Sequence, residues 1–308
     1  MGRFVAVGSN GKVMTSPDGI TWTLRNSGNS ETWKSVAWGG TSGNQVFVAV
    51  GTGGGTSFRL MTSPDGVTWT TGLAPVPNDW RSVTWGGPAG QEKFVAVASS
   101  GSGNRVMTSP DGVTWTTQTT PANNYWNSVT WGGPSGQQQF VAVASSGSGN
   151  RVMTSPDGVT WMTQTTPADN NWQSVTWGGT PGQEQFVAVS NSGIGNRVMT
   201  SPDGINWTLR TSASNNPWVA VAPNSSGTIV AVSSNASGTQ NVMTSTPALI
   251  AFNNGGTGVT GAWTSTGYSL GTTVTNVNDA PTVANPIADQ NATEDSPFSF
   301  QFAANTFA

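Results

Sequence analysis

Thr15-Ser16-Pro17-Asp18-Gly19-Ile20-Thr21-Trp22 returns almost unchanged as Thr62–Trp69, Thr108–Trp115, Thr154–Trp161 and, with Asn206 for the second threonine, Thr200–Trp207. From Trp22 to Trp69 is 47 residues, and each of the next three steps is 46. A fixed period in this range marks a solenoid, propeller or array. Units that stack on one another share a core, so the 308-residue length does not by itself imply two domains.

One unit, Trp126 to Thr163, shows how the chain runs between copies. Trp126-Asn127-Ser128-Val129-Thr130-Trp131 is a run of strand formers, broken by Gly132-Gly133-Pro134-Ser135-Gly136. Phe140-Val141-Ala142-Val143-Ala144 is a short apolar run bounded by turn residues, which predicts a strand covered on both faces. Arg151–Thr154 and Thr160–Thr165 supply third and fourth strands around the tight Pro156-Asp157-Gly158 turn. Four antiparallel strands per unit, with no helical apolar stripe, predict an all-β propeller built of four-stranded blades. Such a blade is apolar on both faces and must be buried between neighbours.

Each full unit carries three tryptophans: one in the repeated phrase (Trp115), one opening the first strand (Trp126) and one before Gly-Gly (Trp131). A fully buried indole removes ~150–250 Å² from water, an upper bound of roughly 4–6 kcal/mol each. The Phe-Val-Ala-Val strand begins at Phe4, Phe47, Phe94, Phe140 and Phe186, and Ile229-Val230-Ala231-Val232 is a sixth copy. The count predicts six blades; a ring of five with a terminal extra and a ring of seven are the alternatives. The first unit lacks its opening Trp strand. Leu249-Ile250-Ala251-Phe252 with Gly255-Gly256 loosely matches it, and Gly261–Ser265 could be a displaced fourth strand of the sixth unit.

The phrase Ser-Pro-Asp-Gly-x-Thr-Trp resembles the Asp-box of bacterial-neuraminidase-repeat propellers, roughly Ser-x-Asp-x-Gly-x-x-Trp. Here Asp and Gly are adjacent, so the turn is one residue shorter. The resemblance spans roughly Phe4 to Thr211. It implies a propeller with the box between the third and fourth strands, on the face away from the ligand. In that reading Asp18, Asp65, Asp111, Asp157 and Asp203 are structural, each accepting backbone N–H groups in its own turn. One carboxylate per turn is poor ligation for a metal such as Ca²⁺. The chain thus divides into a propeller over 1–272 and a segment 273–308. In that segment Val277-Asn278-Asp279-Ala280-Pro281 and Asn291–Phe298 resemble the opening of bacterial cadherin-like (dystroglycan-type) repeats. This second resemblance implies a bacterial cell-surface or extracellular parent with further domains.

Composition excludes several function classes. Cys and His are both 0, which removes thiol chemistry, the commonest general base and the commonest metal ligand. The net charge of −3 gives no footprint for nucleic acid. No apolar run is long enough to span a membrane as a helix. Family sialidases use an arginine triad, a tyrosine–glutamate pair and an acid. This chain has only Tyr125 and Tyr268, and no unit pairs two acids across one site. The expectation is a non-enzyme without cofactor or metal.

The resemblance also implies a ligand on the face of the fourth-to-first and second-to-third connections. That face gathers Arg59, Arg105, Arg151 and Arg197, with Trp80, Trp126, Trp172, Asn124 and Asn171. A flat ring beside amides and a guanidinium suits sugars, and repeated sites would add avidity. Those residues predict a glycan-binding or cell-surface adhesion module. The alternative is a structural or assembly unit, for example of a filament. The rings discriminate: exposed tryptophans favour binding and buried ones favour structure.

Overall fold

Valine-rich runs of four to eight residues, separated by glycine turns, become short strands in the computed structural model, which describes residues 2–53, 59–235 and 241–245. All of these fall within a compact unit, Met1–Ser269. Blade 1 contains β1 (Phe4–Val7), β2 (Lys12–Ser16) and β3 (Thr23–Asn26). Blade 2 contains β4 (Thr32–Gly39), β5 (Val46–Thr52), β6 (Leu60–Ser63) and β7 (Thr70–Gly72). Blade 3 runs β8 (Trp80–Gly86), β9 (Lys93–Ala98), β10 (Val106–Ser109) and β11 (Thr116–Gln118). Blade 4 runs β12 (Trp126–Gly132), β13 (Gln139–Ala144), β14 (Val152–Ser155) and β15 (Met162–Gln164). Blade 5 runs β16 (Trp172–Gly178), β17 (Gln185–Ser190), β18 (Val198–Ser201) and β19 (Thr208–Arg210). Blade 6 shows β20 (Trp218–Pro223), β21 (Ile229–Ser233) and β22 (Val242–Thr244).

Within each blade the strands pair antiparallel in chain order. The first strands β4, β8, β12, β16 and β20 pack on one another in succession, which makes them the inner strands of a six-bladed propeller. Blades 1 and 6 show three strands each among the described residues. The expectations for Leu249–Gly256, Gly261–Ser265 and 273–308 lie outside the described residues.

Two ladders hold neighbouring blades together. The first is steric. A Cβ on Gly39, Gly86 or Gly132 would overlap the indole of Trp85, Trp131 or Trp177 in the next blade, and one on Gly178 would meet Pro223. The inner strands of blades 2 to 5 thus end on a residue without a side chain, and in blades 2 to 4 the next ring lies on that backbone. The second ladder is polar. Ser35 Oγ accepts the Val83 N–H at 3.1 Å, Ser82 Oγ that of Val129 at 3.2 Å, Ser128 Oγ that of Val175 at 3.1 Å and Ser174 Oγ that of Val221 at 3.2 Å. At the start of each inner strand, two residues before the serine position, sit the fully buried rings Trp33, Trp80, Trp126, Trp172 and Trp218.

The repeated phrase forms the same turn five times. In blade 3, Asp111 Oδ1 accepts the N–H groups of Val113 at 2.8 Å and Thr114 at 2.7 Å, and the Ser109 hydroxyl at 2.9 Å. Ser109 Oγ in turn accepts the Gly112 N–H at 2.8 Å, and Trp115 Nε1 donates to the Gly112 carbonyl at 2.9 Å. Gly112 has φ of 78°, and a Cβ there would press on Val48 of the preceding blade at 2.6 Å. Both facts require glycine at this position. The five aspartates therefore accept hydrogen bonds from the backbone of their own turns.

Candidate binding site on the loop face

The structure buries most of the side chains expected to meet a ligand. Trp80, Trp126 and Trp172 are fully buried among inner strands and present no face for stacking. Trp126 and Trp172 also turn their Nε1–H groups onto the carbonyls of Ala122 and Ala168. Their size suited the interblade core better than the surface, which corrects the reading of these rings as a sugar platform. Asn124 is buried as well, its Nδ2 donating to the Asn150 carbonyl at 2.8 Å. A Cβ on Gly147 would strike that amide, so the turn around it is fixed by glycine.

Arg59, Arg105 and Arg151 are clasps between blades. Arg105 is buried. Its Nε donates to the Gly101 carbonyl, and its Nη1 to the carbonyls of Ser99 at 3.1 Å and Asn124 at 2.8 Å. It ties blade 3 to the segment leading into blade 4. Burial pulls the Arg105 guanidinium pKa down, and that of Arg197 likewise; both remain charged. Arg151 repeats the clasp, with Nη1 on Asn171 Oδ1 at 3.1 Å and Nε 3.5 Å from Asp169. Arg59 meets Asp79 at 2.7 Å. Arg197 bonds the carbonyls of Gly193 and Asn191. These four side chains are largely consumed by backbone carbonyls and by Asp79, Asp169 and Asn171. Asn171, half-buried, stands at the edge of the remaining open surface.

That open surface is a polar basin of about 550 Å³ shared by blades 3, 4 and 5. Asp79, Arg81, Ser99, Ser100 and Arg105 come from blade 3 and its leading segment, Tyr125, Asn127 and Ser145 from blade 4, and Gln173 from blade 5. Tyr125 is 54% exposed and lies over the Arg105 guanidinium, 5.6 Å from ring centre to Cζ. This cation–π contact braces the exposed ring from beneath. Arg81 is steadied by Ser99 Oγ at 2.8 Å, Asn127 donates to the Trp172 carbonyl at 2.9 Å, and Gln173 to that of Asn171 at 3.2 Å.

Arg81, Asn127 and Gln173 occupy one repeat position. Each follows the buried tryptophan of its inner strand, where the register slips by one: Trp126 faces Ala144, but Ser128 faces Val143. The same bulge occurs in blades 2, 3, 5 and 6. A bulge frees one residue from the ladder and re-aims its side chain. The freed residue is Lys34, Arg81, Asn127, Gln173 or Val219, different in every blade, whereas Trp on one side is invariant and Ser on the other changes only to Ala220. The sequence held this signal as a variable position inside a copied phrase, and residue-type reasoning passed over it.

No family model and no curated protein matches the sequence. Solved structures do match. One described as YCF48 bound to D1 peptide superposes with a TM-score of 0.54 at 20% identity, covering 84% of this chain and 76% of that one. A structure of a nidogen/laminin complex gives 0.53 at 12% identity, covering 80% of this chain and 90% of that one. The WD40 β-propeller domain of Doa1 gives 0.55 at 12% identity, covering 79% and 75%. At these identities the likeness is one of fold, and the fold is the β-propeller.

Proposed function

We propose that this chain is a non-catalytic binding and assembly module whose ligand seat is the loop-face basin around Tyr125. The observation that carries the reading is the bulge position. Five blades free a residue from the ladder there by the same backbone device, and its identity changes from blade to blade. A surface that meets different groups of one partner would use that variation. The occupant is a short polar segment of a partner protein. Hydroxyls, amides and both charge signs line the basin, so an extended backbone finds donors and acceptors, and an acidic end finds Arg81. The YCF48 structure holds a peptide, which supports this choice of ligand class. The basin's carboxylate is that of Asp79, already bound to Arg59, whereas glycoside chemistry calls for two acids across one substrate.

A glycan is the second reading. One observation favours it: Tyr125 offers an exposed ring in the basin that the Asn127 and Gln173 amides also line. The neuraminidase-repeat kinship of the boxes, the cadherin-like opening in 273–308 and a place at a bacterial cell surface belong to the same proposal. The test is a peptide array and a glycan array probed in parallel with wild type, Arg81→Ala and Tyr125→Ala. Binding lost in both variants locates the basin, and the array that responds decides the class. Binding unchanged in both variants refutes the seat.

A further inference from the structure

The loop-face basin has a hydrogen-bonding direction. The Asn127 amide nitrogen donates to the Trp172 carbonyl at 2.9 Å, and the Gln173 amide nitrogen to the Asn171 carbonyl at 3.2 Å. A carbonyl only accepts, so each amide is held with its nitrogen on the backbone. The oxygens, Asn127 Oδ1 and Gln173 Oε1, make no hydrogen bond among the described residues. The Trp172 carbonyl belongs to the peptide bond that leads into Gln173, so the two amides are neighbours across the boundary of blades 4 and 5. Both line the basin, as pinned acceptors.

Blade 3 presents the opposite chemistry. Arg81 Nε donates to Ser99 Oγ at 2.8 Å, while neither Nη group has a partner among the described residues. No carboxylate of the described residues forms an ion pair with it. Asp79, the acid of the basin, is held by Arg59 Nη1 at 2.7 Å. Arg105 spends Nε and Nη1 on backbone carbonyls. Of the charged groups lining the basin, Arg81 is thus left with an open fork and an unmatched charge. Lys34, exposed at the same bulge position in blade 2, is a second cation one strand away. Read from blade 2 to blade 5, the bulge position carries cation, cation, acceptor, acceptor.

We propose that the basin takes the carboxyl terminus of a partner chain in one direction, its terminal carboxylate on the Arg81 fork and the N–H groups of its last residues on Asn127 Oδ1 and Gln173 Oε1. The terminus is the part of a peptide that the basin seats, so the direction rests on the basin being a peptide seat at all. A carboxylate matches the planar double donor in a bidentate pair. At a chain end the carboxylate is joined directly to a residue that carries a backbone N–H. Both needs are then met by main chain, with no side-chain rotamer to freeze. A segment laid the other way sets its ammonium against Arg81 and its carbonyls against the two amide oxygens, and both contacts repel. The exposed ring of Tyr125 offers an apolar face to a side chain of the terminus.

The full chain is titrated with small peptides at millimolar concentration, with the side-chain N–H signals of Arg81, Asn127 and Gln173 followed by NMR. Acetyl-triglycine as the free acid should shift all three saturably. Its C-terminal amide, which lacks the carboxylate, should bind at least about tenfold more weakly. Acetyl-trisarcosine keeps the carboxylate but has no N–H, and should be weakened by a similar factor. Arg81→Gln should erase the preference for the free acid while melting as wild type does. Equal affinity for acid and amide, equal affinity for the glycine and sarcosine forms, or no saturable shift overturns the proposal. A capped peptide with an internal glutamate that binds as well as the free acid also overturns it, since any carboxylate then suffices. The two readings fail separately. Array binding that needs Arg81, found together with acid and amide probes that bind alike, keeps the peptide seat and removes its direction.

Discussion

Gly86 lies flat beneath the indole of Trp131, so close that any Cβ would enter the ring. The contact joins blade 3 to blade 4. Gly86→Ala should therefore destabilise the protein by about 1–3 kcal/mol, the usual cost of overpacking. Nothing lies within 4 Å of a Cβ at Gly8, so Gly8→Ala serves as the near-neutral control. Urea denaturation of the two variants makes the comparison, with the loss appearing as a lower midpoint at unchanged slope.

Ser128 Oγ takes up the Val175 N–H across the blade boundary. Ser128→Ala leaves that buried donor unpaired and should cost about 1–3 kcal/mol. Ser128→Thr keeps the acceptor and should recover part of the loss. The drop should not be seen in Ser148→Ala, a surface substitution in the same blade. Equal melting points for all three variants would remove the serine ladder from the account.

The box turns predict an acid response. In Asp18 the N–H groups of Thr21 and Ile20 hold the carboxyl pKa at about 2, against an ordinary 3.8. Asp65 is lowered by the N–H groups of Thr68 and Val67. Burial alone would raise Asp111, Asp157 and Asp203, and the turn N–H bonds outweigh it. A folded pKa below the unfolded one contributes stability above about pH 4, and the contribution is lost as pH falls toward about 2. Without histidine, the melting temperature should vary little from pH 5 to 8 and fall below about pH 4. Asp111→Asn should lower stability at pH 7 and make the acid fall shallower.

Arg105 and Arg81 line the same basin but should separate cleanly. Arg105 is buried and spends its donors on three carbonyls, so Arg105→Ala should cost about 2 kcal/mol or more of stability. Arg81 is half-buried with one serine contact, so Arg81→Ala should change stability by less than about 0.5 kcal/mol while weakening ligand binding. Thermal melts set beside binding isotherms test both halves.

The architecture was legible because the 46-residue period, the Phe-Val-Ala-Val strands and the Pro-Asp-Gly turns are local signals that packing reinforces. The box aspartates were legible for the same reason: partners two and three residues away are visible in the chain. The site was not. Trp80, Trp126 and Trp172 look like surface rings at a strand mouth, and only the arrangement of neighbouring inner strands shows that they are walled in. Arg105 looks like a ligand-binding cation until Gly101, Ser99 and Asn124 are seen to take its hydrogens. The bulge that frees Arg81 and Asn127 is a matter of register between strands, which no single strand reveals.

The glycine-to-indole contact has a direction: each blade offers a bare backbone on one side and a ring on the other. Any copy of the unit therefore fits between any two others, and a tandem duplication could lengthen the array without redesigning a single joint. Among the described blades the copy departs at blade 6, where Pro223 stands in for the ring against Gly178 and Asn224 for the glycine. Growth of such an array by recombination would be checked at that unlike member.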